Sequence, residues 1–189
     1  MRNILYCMAT LFAVLNFSYR VVEPFSWHTY VEKPMFVNRV LYHHPEYGYM
    51  IIDRDLLNMA QSVCDTITQA GGDRELLSLP MPYANYFCSI SPWHGYVQTF
   101  FDITSKDTID ELMTALKEKP PKWILLQDEP GILRIHEDTF NHQMPLPQHL
   151  LNELIEEKVL VGKWKIVYVN NLYNTEDRWE NHWLLIQTR

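Results

Sequence analysis

Apolar positions three and four residues apart mark the helices expected in this chain. After Asp53 or Asp55, Leu56, Leu57, Met59, Ala60, Val63, Cys64, Ile67 and Ala70 keep a helical period until Gly71-Gly72 stops it. Ser105 precedes Ile109, Leu112, Met113 and Leu116, which repeat as an amphipathic helix, and Pro120-Pro121 forbids continuation. A third helix is expected over 145–157, with Leu146, Leu150, Leu151, Leu154 and Ile155 inward.

Strands read differently. Glu75-Leu76-Leu77-Ser78-Leu79 is a short run read as a buried strand, ended by Pro80-Met81-Pro82, and Trp123-Ile124-Leu125-Leu126 is a continuous one, the pattern of a strand buried on both faces. Residues 96–103 alternate weakly and suggest another strand, whereas 83–88 fits a helical turn or a strand equally well. The runs 164–169 and 182–187 alternate around a polar connector, which makes a terminal hairpin. Residues 128–144 read as a long polar loop. This order predicts a small layered αβα domain of α/β class, with a mostly parallel sheet and a C-terminal antiparallel hairpin.

The N-terminus has its own pattern. From Asn3 to Tyr19 no residue is charged, and as a helix the run would span about 26 Å. That is the short edge of a bilayer core, which Arg20 can extend by snorkelling. A cleaved signal peptide would need a small-x-small site after the apolar core, and none follows. A buried core helix would need partners on every face. A membrane helix is the favoured reading, with Arg2 and Arg20 flanking it evenly and leaving orientation weakly determined. The expected organisation is an anchor over 1–22, a connector over 23–52 and an extracytoplasmic α/β domain over 53–189. Three prolines and many aromatics without a clean period make the connector extended or partly helical.

Composition narrows the class. The chain has 189 residues, 47% of them hydrophobic, and only 6 Gly, which excludes low-complexity and disordered readings. Net charge is −7 and no basic run occurs, so no nucleic-acid partner is expected. Of Cys7, Cys64 and Cys88, only the last two are free to pair, and two buried free thiols are the plainer expectation.

Candidate chemistry is sparse. No phosphate loop, dinucleotide fingerprint, zincin helix or nucleophile elbow is present, and no catalytic residue, metal or cofactor is assigned. His43 and His44, near His28, Glu46, Asp53 and Asp55, would point to opposite sides of an extended chain and suit a solvated connector better than a metal site. Asp128-Glu129 and Glu137-Asp138, with His136 and His142, read as a solvated acidic loop. A His-Asp pair, for instance His94 with Asp102, would suit a small hydrolase. The ligand-binding candidates are Tyr83, Tyr86, Trp93, His94 and Tyr96, which follow the first buried strand at the edge where open α/β sheets bind ligands. Their rings suit sugars or a membrane interface, or else simply fill the junction below the sheet.

From residue 53 onward the chain resembles the C-terminal extracytoplasmic domain of bacterial GT-C type membrane glycosyltransferases, relatives of the dolichyl-phosphate-mannose protein mannosyltransferases. The features that carry the resemblance are the strand running into Pro80-Met81-Pro82-Tyr83-Ala84-Asn85-Tyr86, the helix and Pro-Pro break from Leu112 to Leu126, and the closing hairpin from Lys163 to Gln187. The resemblance implies a membrane-bound, extracytoplasmic domain acting with a polyprenyl-phosphate sugar donor or a glycan acceptor. It implies no catalytic residue here, because in that family the catalytic acid lies in an early loop between membrane helices. The chain is then the tail or a remnant of such an enzyme. An anchored envelope binding or structural protein without enzymatic activity is the competing expectation.

Overall fold

A computed structural model describes residues 2–22, 37–71, 75–100, 103–128, 131–173 and 181–188. The chain divides into two units, 1–55 and 56–189.

In the first unit, the uncharged N-terminal run forms helix α1, Arg2–Val22. Every side chain from Tyr6 to Tyr19 is exposed, including Leu11, Phe12, Leu15 and Phe17. Among the described residues, no helix is long and apolar enough to cross a membrane. The helix is thus where the apolar run predicts it, and the expected membrane span is not supported.

Within the expected connector lies an antiparallel hairpin of β1, Arg39–His44, and β2, Gly48–Asp53. Alternation is hard to read there because apolar residues occupy both faces. Val40, Tyr42 and Met50 lie on one side, and Leu41, Tyr49 and Ile51 on the other. Gly48, at φ +77°, makes the reversal after Pro45 possible. Asp53 ends β2 and is buried; its Oδ1 accepts the Asp55 amide at 2.9 Å, while the Asn38 side chain donates to Asp55 at 2.7 Å. Asp53 is therefore the residue that caps the next helix, α2, Arg54–Gln69.

The second unit is built on a sheet of four strands in the order β3-β4-β6-β5. These are β3, Leu76–Leu79; β4, Trp123–Asp128; β5, Lys165–Tyr173; and β6, Asn181–Gln187. Only β3 and β4 are parallel; β6 pairs antiparallel with both β4 and β5. The sheet is therefore mixed, correcting the mostly parallel expectation. The last strand inserts beside β4 and pushes β5 to the edge. Over the described residues 96–100 the strand expected over 96–103 is not present: the segment is irregular, with the Thr99 amide bonded to the Pro80 carbonyl at 2.9 Å, and 101–102 lie outside the described residues. The terminal hairpin is as predicted, with register shifts between Ile166 and Tyr168 and between Asn171 and Tyr173.

Helices cover both faces, so the layered αβα plan stands. Strand alternation divides the core. Leu77, Leu79, Ile124, Leu126 and Ile186 meet α4, Lys106–Glu118, and α6, Pro147–Leu160. Leu76, Trp123, Leu125, Trp183 and Leu185 meet α2 through Met59, Val63 and Ile67, and Ala84 of α3, Tyr83–Phe87. The ambiguous segment 83–88 is thus a helix. The expected loop over 128–144 contains α5, Gly131–Phe140, in which Leu133 and Glu137, one turn apart, are both buried. Apolar Ile132, Ile135 and Phe140 interleave with Arg134, His136 and Asp138 in the sequence, which leaves no clean helical period to read.

Cys64 on α2 and Cys88 after α3 are joined by a disulfide, with Cα atoms 5.2 Å apart. This overturns the expectation of two free thiols. The bond staples the short α3 to α2 on one face of the sheet.

Candidate functional site

The parallel pair β3 and β4 sets the polarity of the second unit. Both strands run towards one edge, where the chain leaves β3 for α3 and the loop to α4, and leaves β4 for α5 and α6. Two groups of side chains lie at this edge.

The first is the aromatic turn. The Leu79–Pro80 peptide bond is cis, and the Ser78 hydroxyl donates to the Met81 carbonyl at 2.6 Å, which turns the chain sharply out of β3. Tyr83 then starts α3 and sets its ring edge-on to Trp183, with centroids 5.6 Å apart. Burial raises its phenol above the ordinary value. Tyr86 is half-buried and meets Phe87 edge-on at 5.1 Å.

Trp93 opens a single 3₁₀ turn, Trp93–Gly95, and is buried on the opposite face from Tyr83, in the cluster of Ile109, Leu112 and Leu151. His94 is exposed at φ +50°, a conformation rare for a residue with a side chain, and Gly95 follows at φ +77°. The turn is held by the Gly95 amide on the Pro92 carbonyl and the Tyr96 amide on the Trp93 carbonyl, each 3.1 Å. The His94 ring stands perpendicular to Trp93 at 4.5 Å, and Tyr96 lies 6.1 Å from the same indole. Partial burial, then the nearby Glu111 carboxylate, raises the Tyr96 phenol. The structure therefore brings together Trp93, His94 and Tyr96, and sets Tyr83 on the other side of the sheet. Of the five, His94 alone is exposed; Trp93 is part of the core.

The second group was only half legible. Glu137 of α5 is 8% exposed. Its carboxylate accepts the Leu146 amide at 2.7 Å and faces Nδ1 of His149 at 3.0 and 3.2 Å through its two oxygens. His149 Nε2 lies 3.6 Å from the Glu153 carboxylate. A carboxylate on Nδ1 favours the tautomer that carries its proton there, and the Glu153 carboxylate faces the other ring nitrogen. The same carboxylate stabilises the amide end of α6, whose start has no side-chain cap of its own. Sequence reading flagged Glu137 but missed His149, twelve residues on; Pro147 opening a helix with a histidine in its first turn was the available signal.

The remaining candidates separate. His43 is exposed against Tyr49 at 4.6 Å, whereas His44 is buried and accepts the Glu46 amide at 3.1 Å. They lie on opposite sides of the hairpin. His136 meets Phe140 at 5.2 Å, and His142 and Asp138 are exposed. His28, Asp102 and Glu129 lie outside the described residues. Among the described residues, no group of three or more His, Cys, Asp or Glu side chains could hold a metal ion. No known family model matches the chain, and no curated protein or solved structure matches it.

Proposed function

We propose that this chain is a membrane-tethered α/β domain of a lipid-linked-sugar glycosyltransferase, the extracytoplasmic C-terminal domain of a GT-C type enzyme or a remnant of one. It contributes donor or acceptor recognition and carries no turnover alone. The observation that supports it most is α1: fourteen successive side chains, Tyr6 to Tyr19, all exposed, mostly apolar and none charged. A run exposed and uncharged on every side is poorly suited to water, and although the helix is not long and apolar enough to cross a membrane, the interface of a bilayer suits it. Arg2 and Arg20 bracket the run in the sequence, as interfacial anchors do. The Cys64–Cys88 disulfide supports the extracytoplasmic side, since such bonds persist in oxidising compartments.

The recognition edge is the loop that presents His94, with Val97 and Ile103 exposed in the same segment. An imidazole beside apolar side chains suits a phosphate joined to a hydrocarbon tail. Reconstitution of the full chain in nanodiscs with a polyprenyl-phosphate sugar tests this. Donor or acceptor binding weakened by His94→Ala, with no sugar transfer, is the expected result. Binding of neither moves the reading to an anchored envelope protein without enzymatic activity.

A further inference from the structure

The β1–β2 hairpin carries an outward face that the tether alone does not explain. Leu41 and Ile51 are cross-strand partners, exposed at 69% and 67%, and His43 and Tyr49 are the next pair, with Tyr49 exposed at 74%. On the other side of the same strands burial rises, to 1% at His44 and 8% at Ile52. Leu41, Ile51 and Tyr49, with His43 beside them, thus form one continuous exposed patch on this face. A short two-stranded sheet with such a face bare in water is an adhesive surface.

The chemistry of the patch selects its occupant. Its aliphatic pair is followed by a phenol and an imidazole, side chains with an apolar body and a polar tip. Arg39, on the same side by alternation, is half-exposed, while Asp53, the acid of that side, is buried and engaged with the Asp55 amide. No acidic side chain is exposed on this face among the strand residues. Cationic, aromatic and aliphatic groups on one side suit anionic lipid headgroups over hydrocarbon. Fourteen residues separate Val22, the end of α1, from Val37, a tether of at most about 50 Å, so a hairpin following a bilayer-embedded helix stays within reach of that surface.

We infer that this hairpin face, Leu41, His43, Tyr49 and Ile51 with Arg39, docks onto the surface of the bilayer, a second membrane contact beside α1. The inference rests on the proposed tether, and its test separates the two.

The full chain is labelled with an environment-sensitive NBD fluorophore in three forms: on native Cys7 in α1, on Tyr49→Cys, and on Lys117→Cys in exposed α4, the last two carrying Cys7→Ser. Each is mixed with phosphatidylethanolamine–phosphatidylglycerol vesicles or with phosphatidylcholine vesicles. The expected result is a blue shift with rising intensity at positions 7 and 49, none at 117, and a larger effect at 49 on the anionic vesicles. Leu41→Ser with Ile51→Ser should abolish the shift at 49, and Arg39→Glu should reduce it on anionic lipid. A shift at 7 without one at 49 overturns the hairpin contact and leaves the tether standing. No shift at either overturns both. A shift at 117 as well would mean indiscriminate adsorption, and a shift at 49 without vesicles that grows with protein concentration would mean a second copy; either contradicts the inference.

Discussion

Glu137 on α5 holds the Nδ1 of His149 on α6 at 3.0 Å while the same carboxylate oxygen accepts the Leu146 amide. One buried acid therefore both closes the turn between two helices and fixes an imidazole at the edge where the parallel strands end. Replacing Glu137 with Ala leaves the Leu146 amide without its acceptor and should lower stability by about 1–3 kcal/mol. His149→Ala should lower it less, because the imidazole is 41% exposed. A double-mutant cycle on denaturant melts measures the coupling, which should be distinctly non-zero. Additive losses would mean that the contact contributes nothing.

Trp93 and His94 are adjacent and should behave oppositely. Trp93 is 6% exposed, so Trp93→Ala should lose about 3–5 kcal/mol. His94→Gly removes a side chain from a positive-φ position and should leave the melt unchanged or raise it. A thermal melt of each variant decides; a large loss at His94 would show that its ring, not its backbone, matters to the fold.

The Cys64–Cys88 bond closes a separation of 24 residues. On the chain-entropy account, Cys64→Ala with Cys88→Ala should lower stability by about 3 kcal/mol. For a domain of this size that is a fall in Tm of roughly 6–12 °C. Identical melts with and without the bond would contradict it.

Tyr83 gives a pH dependence with a definite sign. Burial raises the folded phenol above its ordinary value of 10.0, so the unfolded chain releases this proton first. The contribution to stability is full below pH 10.0 and is lost as pH rises from there through the folded value. Denaturant melts through that range should show a steeper alkaline decline in the native protein than in Tyr83→Phe. Parallel declines would argue against a buried phenol.

The helices and strands that carry strong local signals were legible in the sequence: α2 from its apolar period and the Gly71-Gly72 stop, α4 from Ser105, whose side chain does accept the Thr108 amide, and β4 from its apolar run. What was not legible depends on partners far away in the chain. Nothing local says that β6 would lie between β4 and β5, because alternation fixes a strand's faces and not its neighbour. The segment after Gly95 alternates weakly but bonds to Pro80 through Thr99 instead of to a strand. Helix α5 was hidden by charged and apolar residues interleaved without a clean period, although Leu133 and Glu137 share its inner side. At the site, the turn around His94 was found by its aromatics, but which rings face out was not, since Trp93 and His94 differ by one residue and by a positive φ that composition does not report. The disulfide needed α3 to be a helix before the two thiols could be seen to meet.

The central claim is a tethered domain on the oxidising side of a membrane, and one measurement reads both halves of it. Membranes from cells producing the full chain are washed with carbonate, dissolved in detergent that denatures the protein, and treated with a maleimide-linked polymer before and after reduction. The account predicts that the chain stays in the washed pellet, gains one polymer on Cys7 without reductant, and gains three after reduction of Cys64–Cys88. Release of the intact chain into the carbonate supernatant, or three polymers added before reduction, would contradict it.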